Sequence, residues 1–75
     1  MKITELKPYE GKTVILHMSG GEIATAKIAF VDAEYDDIIV DIVQTNRPDA
    51  YQKPIGSSAF AVPISDLDFI EEFSN

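Results

Sequence analysis

The chain has 75 residues, no cysteine and a single histidine, His17. These counts exclude disulfides, thiolate metal sites and a zinc site built from imidazoles alone. Thirteen acidic against six basic residues give a net charge of −7, which disfavours binding a phosphate backbone through Lys and Arg and adhering to an anionic membrane.

Residues 4–9 predict one short helical turn, with Thr4 able to cap it and Pro8 limiting its length. Gly11 marks the change to extended chain. Residues 12–18 alternate, with Val14, Leu16 and Met18 on one face and Thr13, Ile15 and His17 on the other, which predicts a first strand. Ser19-Gly20-Gly21 follows as a tight hairpin turn, because adjacent glycines adopt positive φ at little cost. Residues 22–32 predict a long second strand. Its alanines, Ala24, Ala26 and Ala29, are poor strand formers, and they point to sharp bending or close backbone approach.

Residues 32–37 read as a second turn. Residues 38–43 form a β-branched third strand that is apolar on both faces except at Asp41. A strand buried on one side alternates more cleanly, so its second face is expected to be covered by the N-terminal turn or by another subunit. Residues 44–57 are the longest stretch without a strand pattern and hold Arg47 and Lys53, two of the six basic residues. Long loops in compact domains often carry function. Residues 58–62 predict a fourth strand, residues 63–66 a tight turn and residues 67–73 a fifth strand.

The pattern is therefore all-β: a short N-terminal helical turn followed by a five-stranded, strongly bent antiparallel sheet, one domain over residues 1–75. Five bent strands at this length fit a small barrel. An open barrel leaves two unpaired edges, and pairing between copies closes a ring if the rotation permits. A chain this short buries a limited core, so self-association is expected. No apolar run approaches the ~20 residues of a membrane span. The first residues lack the apolar run of a signal peptide, so a cytoplasmic location is expected.

The stretch from Val14 to Ile39 resembles the first signature segment of Sm-like proteins without a gap. Val14, Leu16 and Met18 alternate before the turn glycine Gly21. Ala26 stands at the small position, Ile28 at the next apolar one, and Val31-Asp32 at the apolar–Asp pair. Asp36 occupies the place usually held by Asn, and Ile39 is the closing apolar residue. Residues 60–67, Phe-Ala-Val-Pro-Ile-Ser-Asp-Leu, match the apolar frame of the second segment, with Pro63-Ile64 where Arg-Gly is common. The resemblance implies an Sm-like (SH3-like) small barrel and a homo-oligomeric ring. It implies that the fourth strand of one subunit pairs with the fifth of the next, through Ala59, Phe60, Val62, Leu67, Phe69 and Ile70.

The family's RNA site maps onto Asp32, Glu34, Asp36 and Pro63. Glu34 stands where a base commonly stacks and offers no π face. Asp36 accepts but cannot donate when ionised, and Pro63 has neither charge nor side-chain donor. Only Asp32 keeps the usual identity.

Three other groups invite chemistry. Asp32, Glu34 and Asp36 begin like a calcium loop, but Asp37 and Val43 stand where Gly and a bidentate Glu are required. A looser divalent site shared between subunits and a solvated turn both remain as readings. Tyr51, between Arg47 and Lys53, has the aromatic-plus-cation composition that stacks bases and holds phosphates, against an ordinary exposed loop. Tyr35 reads as a core or interface aromatic before it reads as a stacking residue. His17, Ser57 and Ser58 have no catalytic partner visible along the chain, and no glycine loop precedes a helix to cradle phosphate. No cofactor is implied. The expected function is a non-enzymatic ring-forming protein, either associated with RNA through Arg47, Tyr51 and Lys53, or an acidic scaffold binding basic proteins and no nucleic acid.

Overall fold

Alternation along each strand selects the core. In the computed structural model, which describes residues 2–50 and 59–73, a 3-10 helix, Ile3–Tyr9, precedes five strands. These are β1 (Thr13–Met18), β2 (Ile23–Asp32), β3 (Asp37–Thr45), β4 (Phe60–Pro63) and β5 (Leu67–Glu72). Val14, Leu16 and Met18 of β1 are buried, and so are Ile38, Val40 and Ile42 of β3. Each large aliphatic buried in this way contributes about 1.5–3 kcal/mol relative to exposure.

The strands form one antiparallel sheet in the order β4-β3-β2-β1-β5. All inward side chains meet in one cluster, and Leu6 of the helix closes it from the N-terminal side. The bends fall where the alanines stand. Register shifts lie between Thr25 and Ala26 and between Ile28 and Phe30, across from β3. The second shift inserts Ala29, so the buried set steps from Ile28 to Val31 rather than to Phe30. Such bulges bend a strand and strengthen its twist.

At the β1–β2 turn Gly20 and Gly21 take φ of 84° and 90°, a left-handed region that glycine enters without steric cost. The expected 63–66 turn is a 3-10 turn over Ile64–Asp66.

Several expectations are corrected. The helix begins at Ile3, one residue earlier than expected, and Thr4 is not its cap. The Lys2 amide instead donates to Glu5 Oε1 at 2.9 Å, so a carboxylate three residues on does the capping. β3 runs on to Thr45, and a 3-10 turn covers Pro48–Ala50, inside the stretch expected to lack regular structure. β4 begins at Phe60 rather than residue 58, and Ser57 and Ser58 lie outside the described residues. Among the described residues the second face of β3 is only partly covered: Ile39 is half-buried, but Val43 is 60% exposed. Tyr35 is not a core residue, being 72% exposed at the tip of the β2–β3 turn. Among the described residues no helix is long and apolar enough to cross a membrane.

Candidate functional site

The β2–β3 turn carries three of the four positions that the Sm-like pattern assigns to RNA. Asp32 Oδ1 accepts the amides of Glu34 and Tyr35 at 3.0 and 3.3 Å. This side-chain turn is what Asp does well before a reversal. Asp36 follows with φ of 52°, a left-handed conformation that Asp and Asn tolerate better than most side chains. An ionised Asp there accepts hydrogen bonds but, unlike Asn, has no side-chain donor.

The fourth position joins from across the sheet. Asp37 pairs with Pro63, and the Ile64 amide donates to the Asp36 carbonyl at 2.8 Å. Asp32, Glu34, Asp36 and Pro63 are thus brought together, but they present carboxylates and a proline. Asp37 Oδ1 is buried without a hydrogen-bond partner among the described residues. No three metal-ligating side chains converge among the described residues.

Arg47 is engaged elsewhere. Its Nη2 donates to the Gly20 carbonyl at 2.6 Å, and its amide donates to Thr45 Oγ1 at 3.0 Å. Asn46 adds two bonds to the same turn region: its Oδ1 accepts the Ile23 amide at 3.0 Å, and its Nδ2 donates to the Gly21 carbonyl at 3.3 Å. These residues pin the end of β3 to the β1–β2 hairpin. Tyr51 and Lys53, the other two members of that candidate group, lie outside the described residues.

The expected subunit interface divides by direction. Val62 and Leu67 are buried in the protomer's own core. Phe60 and Ile70 pack against that core while staying half-buried at the two edges. Ala59 is exposed, and Phe69 is 50% exposed on the outer side of β5.

His17 has a partner that the sequence did not disclose. β1 and β5 place His17 beside Phe69 and Ile15 beside Glu71. The His17 ring stacks on Phe69, with centroids 4.0 Å apart and planes 12° from parallel. His17 Nε2 is hydrogen-bonded to Glu71 Oε1. An imidazole–carboxylate pair is half of a general-base arrangement. The nearest hydroxyl in sequence, Ser19 Oγ, donates instead to the Asp66 carbonyl at 3.4 Å.

One further latch was also unread in the sequence. Glu10 Oε2 accepts the Val31 amide at 2.8 Å. That bond holds the Glu10 carboxyl below its ordinary value; burial opposes it by less, and Lys7, 3.3 Å away, adds a smaller pull in the same direction as the bond. Lys7 Nζ also lies 5.6 Å from the centre of the Phe30 ring, within cation–π reach.

A cleft of about 380 Å³ is lined by Tyr9, Lys12, Thr13, Val14, Glu72 and Phe73, where the start of β1 meets the end of β5. Comparison with known families, with characterised proteins and with solved structures finds no match.

Proposed function

We propose that the protein is a non-enzymatic, Sm-like, ring-forming module that serves as an acidic scaffold for protein partners. The observation that carries this is the unlike character of the two sheet edges. Among the described residues β4 and β5 each have a strand on one side only. β4 reads Phe-Ala-Val-Pro without a charge, whereas β5 carries Asp68, Glu71 and Glu72. Two copies of β5 repel one another, and uncharged β4 is the better mate for it. Phe60 and Ile70 are both half-buried and directed inward, so pairing β4 with β5 completes two core fragments at once. A head-to-tail contact of this kind gives a ring when its rotation closes.

Protein rather than RNA is supported by the charge. A ring would repeat the Asp32, Glu34 and Asp36 carboxylates in every subunit, and they repel phosphate. Arg47 is committed to Gly20. RNA association is the second reading, favoured by the Sm-like pattern together with Lys2 and Lys12, which are exposed and have no side-chain ion pair among the described residues.

Titration with short U-rich and A-rich RNAs at low and moderate salt separates the two. The scaffold reading expects no binding and an absorbance ratio of pure protein after purification. Binding at moderate salt, or nucleic acid carried through purification, would support RNA instead.

A further inference from the structure

The outer side of β5 has a half-exposed aromatic ring set among carboxylates. Phe69 is held from one side by the stacked His17 ring, and half of its surface remains in solvent. Glu71 gives Oε1 to His17, and its side chain is 53% exposed. Its Oε2 accepts nothing among the described residues. Asp68 lies exposed at the register shift beside Phe69.

The chain contains a counterexample that shows what is missing. Phe30 is exposed to the same extent as Phe69, 50%, but has Lys7 over its ring. No Lys or Arg follows Lys53 in the sequence. Phe69 has carboxylates beside it, and among the described residues no Lys or Arg lies over its ring.

We propose that Phe69, His17 and Glu71 form a docking site for an arginine side chain of a basic protein partner. The reading rests on the scaffold function proposed above and says where on the scaffold the partner binds. A guanidinium is planar and weakly hydrated, and it both stacks on an aromatic face and donates in the ring plane to a carboxylate. Lying on Phe69, it would offer N–H groups to Glu71 Oε2 and to Asp68, making charge-assisted bonds. His17 orients the platform: it fixes the Phe69 ring and positions Glu71. In the ring the site would lie beside the seam, where the facing outward residue at the middle of β4 is Ala61, small enough to leave the Phe69 ring accessible.

The test uses the labelled full chain and two blocked hexapeptides, one alternating Gly and Arg, the other Gly and Lys, at about 0.15 M salt. NMR should show shifts at Phe69, Glu71 and His17, with the Arg peptide bound at least about threefold tighter than the Lys peptide. Phe69→Ala should weaken Arg-peptide binding about tenfold, and Phe69→Tyr should restore it. If Phe69→Ala disturbs the fold, Glu71→Gln, which keeps the side-chain shape, should still weaken binding about threefold. Equal binding of the two peptides, shifts confined to residues 32–37, or displacement of the peptide by RNA at Phe69 would overturn the proposal. Sedimentation of the same samples keeps the two readings apart. A monomer with Phe69-dependent Arg binding would refute the ring and leave the site standing, and a ring without it would refute the site alone.

Discussion

Asp37 stands opposite Pro63 across β3 and β4, and its Oδ1 is buried with no hydrogen-bond partner among the described residues. An unsatisfied buried acceptor costs about 1–3 kcal/mol, and the residue facing it has no side-chain donor. Pro63→Arg, which supplies a guanidinium there, should raise the melting temperature by about 4–8 °C, the shift that 1 kcal/mol produces in a domain of this size. In an Asp37→Ala background the same substitution should give no gain. Equal gains in both backgrounds would place the effect elsewhere.

Arg47 and Asn46 act as a clamp on the β1–β2 turn. Asn46→Ala removes two hydrogen bonds and Arg47→Ala one side-chain bond. At about 1 kcal/mol for each typical bond, Asn46→Ala should be the more destabilising. Hydrogen exchange at the Ile23 amide should speed up in Asn46→Ala, because that amide donates to Asn46 Oδ1. An unchanged exchange rate would remove the clamp.

Glu10 predicts a defined pH response. Its carboxyl lies below the ordinary 4.5 in the folded chain because the Val31 amide donates to the ionised form. The unfolded chain therefore takes up the proton first as pH falls. The stabilisation is fully present above 4.5 and is lost as pH drops through the folded value. The difference in melting temperature between wild type and Glu10→Gln should be largest near neutrality and shrink below pH 4.5. Comparing the two proteins cancels the background from the other carboxylates.

The core has little reserve. Leu16 is fully buried in the middle of β1, and Leu16→Ala should cost about 2–5 kcal/mol. A chain of 75 residues has a total stability on the order of 4–11 kcal/mol. The variant should be partly unfolded at 37 °C by circular dichroism, whereas Val43→Ala, on the exposed face of β3, should melt near wild type.

The fold was legible because its signals are local. Period-two burial marks Val14, Leu16 and Met18, Gly20-Gly21 marks the hairpin, and Ala26 and Ala29 mark the bends. The side-chain partnerships were not legible, because they depend on register between distant strands. His17 and Glu71 are 54 residues apart, and Glu10 and Val31 are 21 apart. Nothing in either stretch specifies which residue of β5 falls opposite His17. Of the two places expected for Tyr35, core or interface, the core is excluded: the Asp32 side-chain turn and the left-handed Asp36 carry Tyr35 out to the tip. Arg47 was legible as a cation, but its commitment to the Gly20 carbonyl requires the end of β3 to lie against the β1–β2 turn.

Sedimentation velocity at micromolar concentration tests the central claim most directly. Wild type should sediment several-fold heavier than 8.3 kDa. Ala61→Glu should shift it toward the monomer without loss of strand signal. Ala61 is exposed in the protomer, and a carboxylate there would meet Asp68 and Glu71 of the next copy. A wild-type protein that sediments as a monomer at this concentration would contradict the ring.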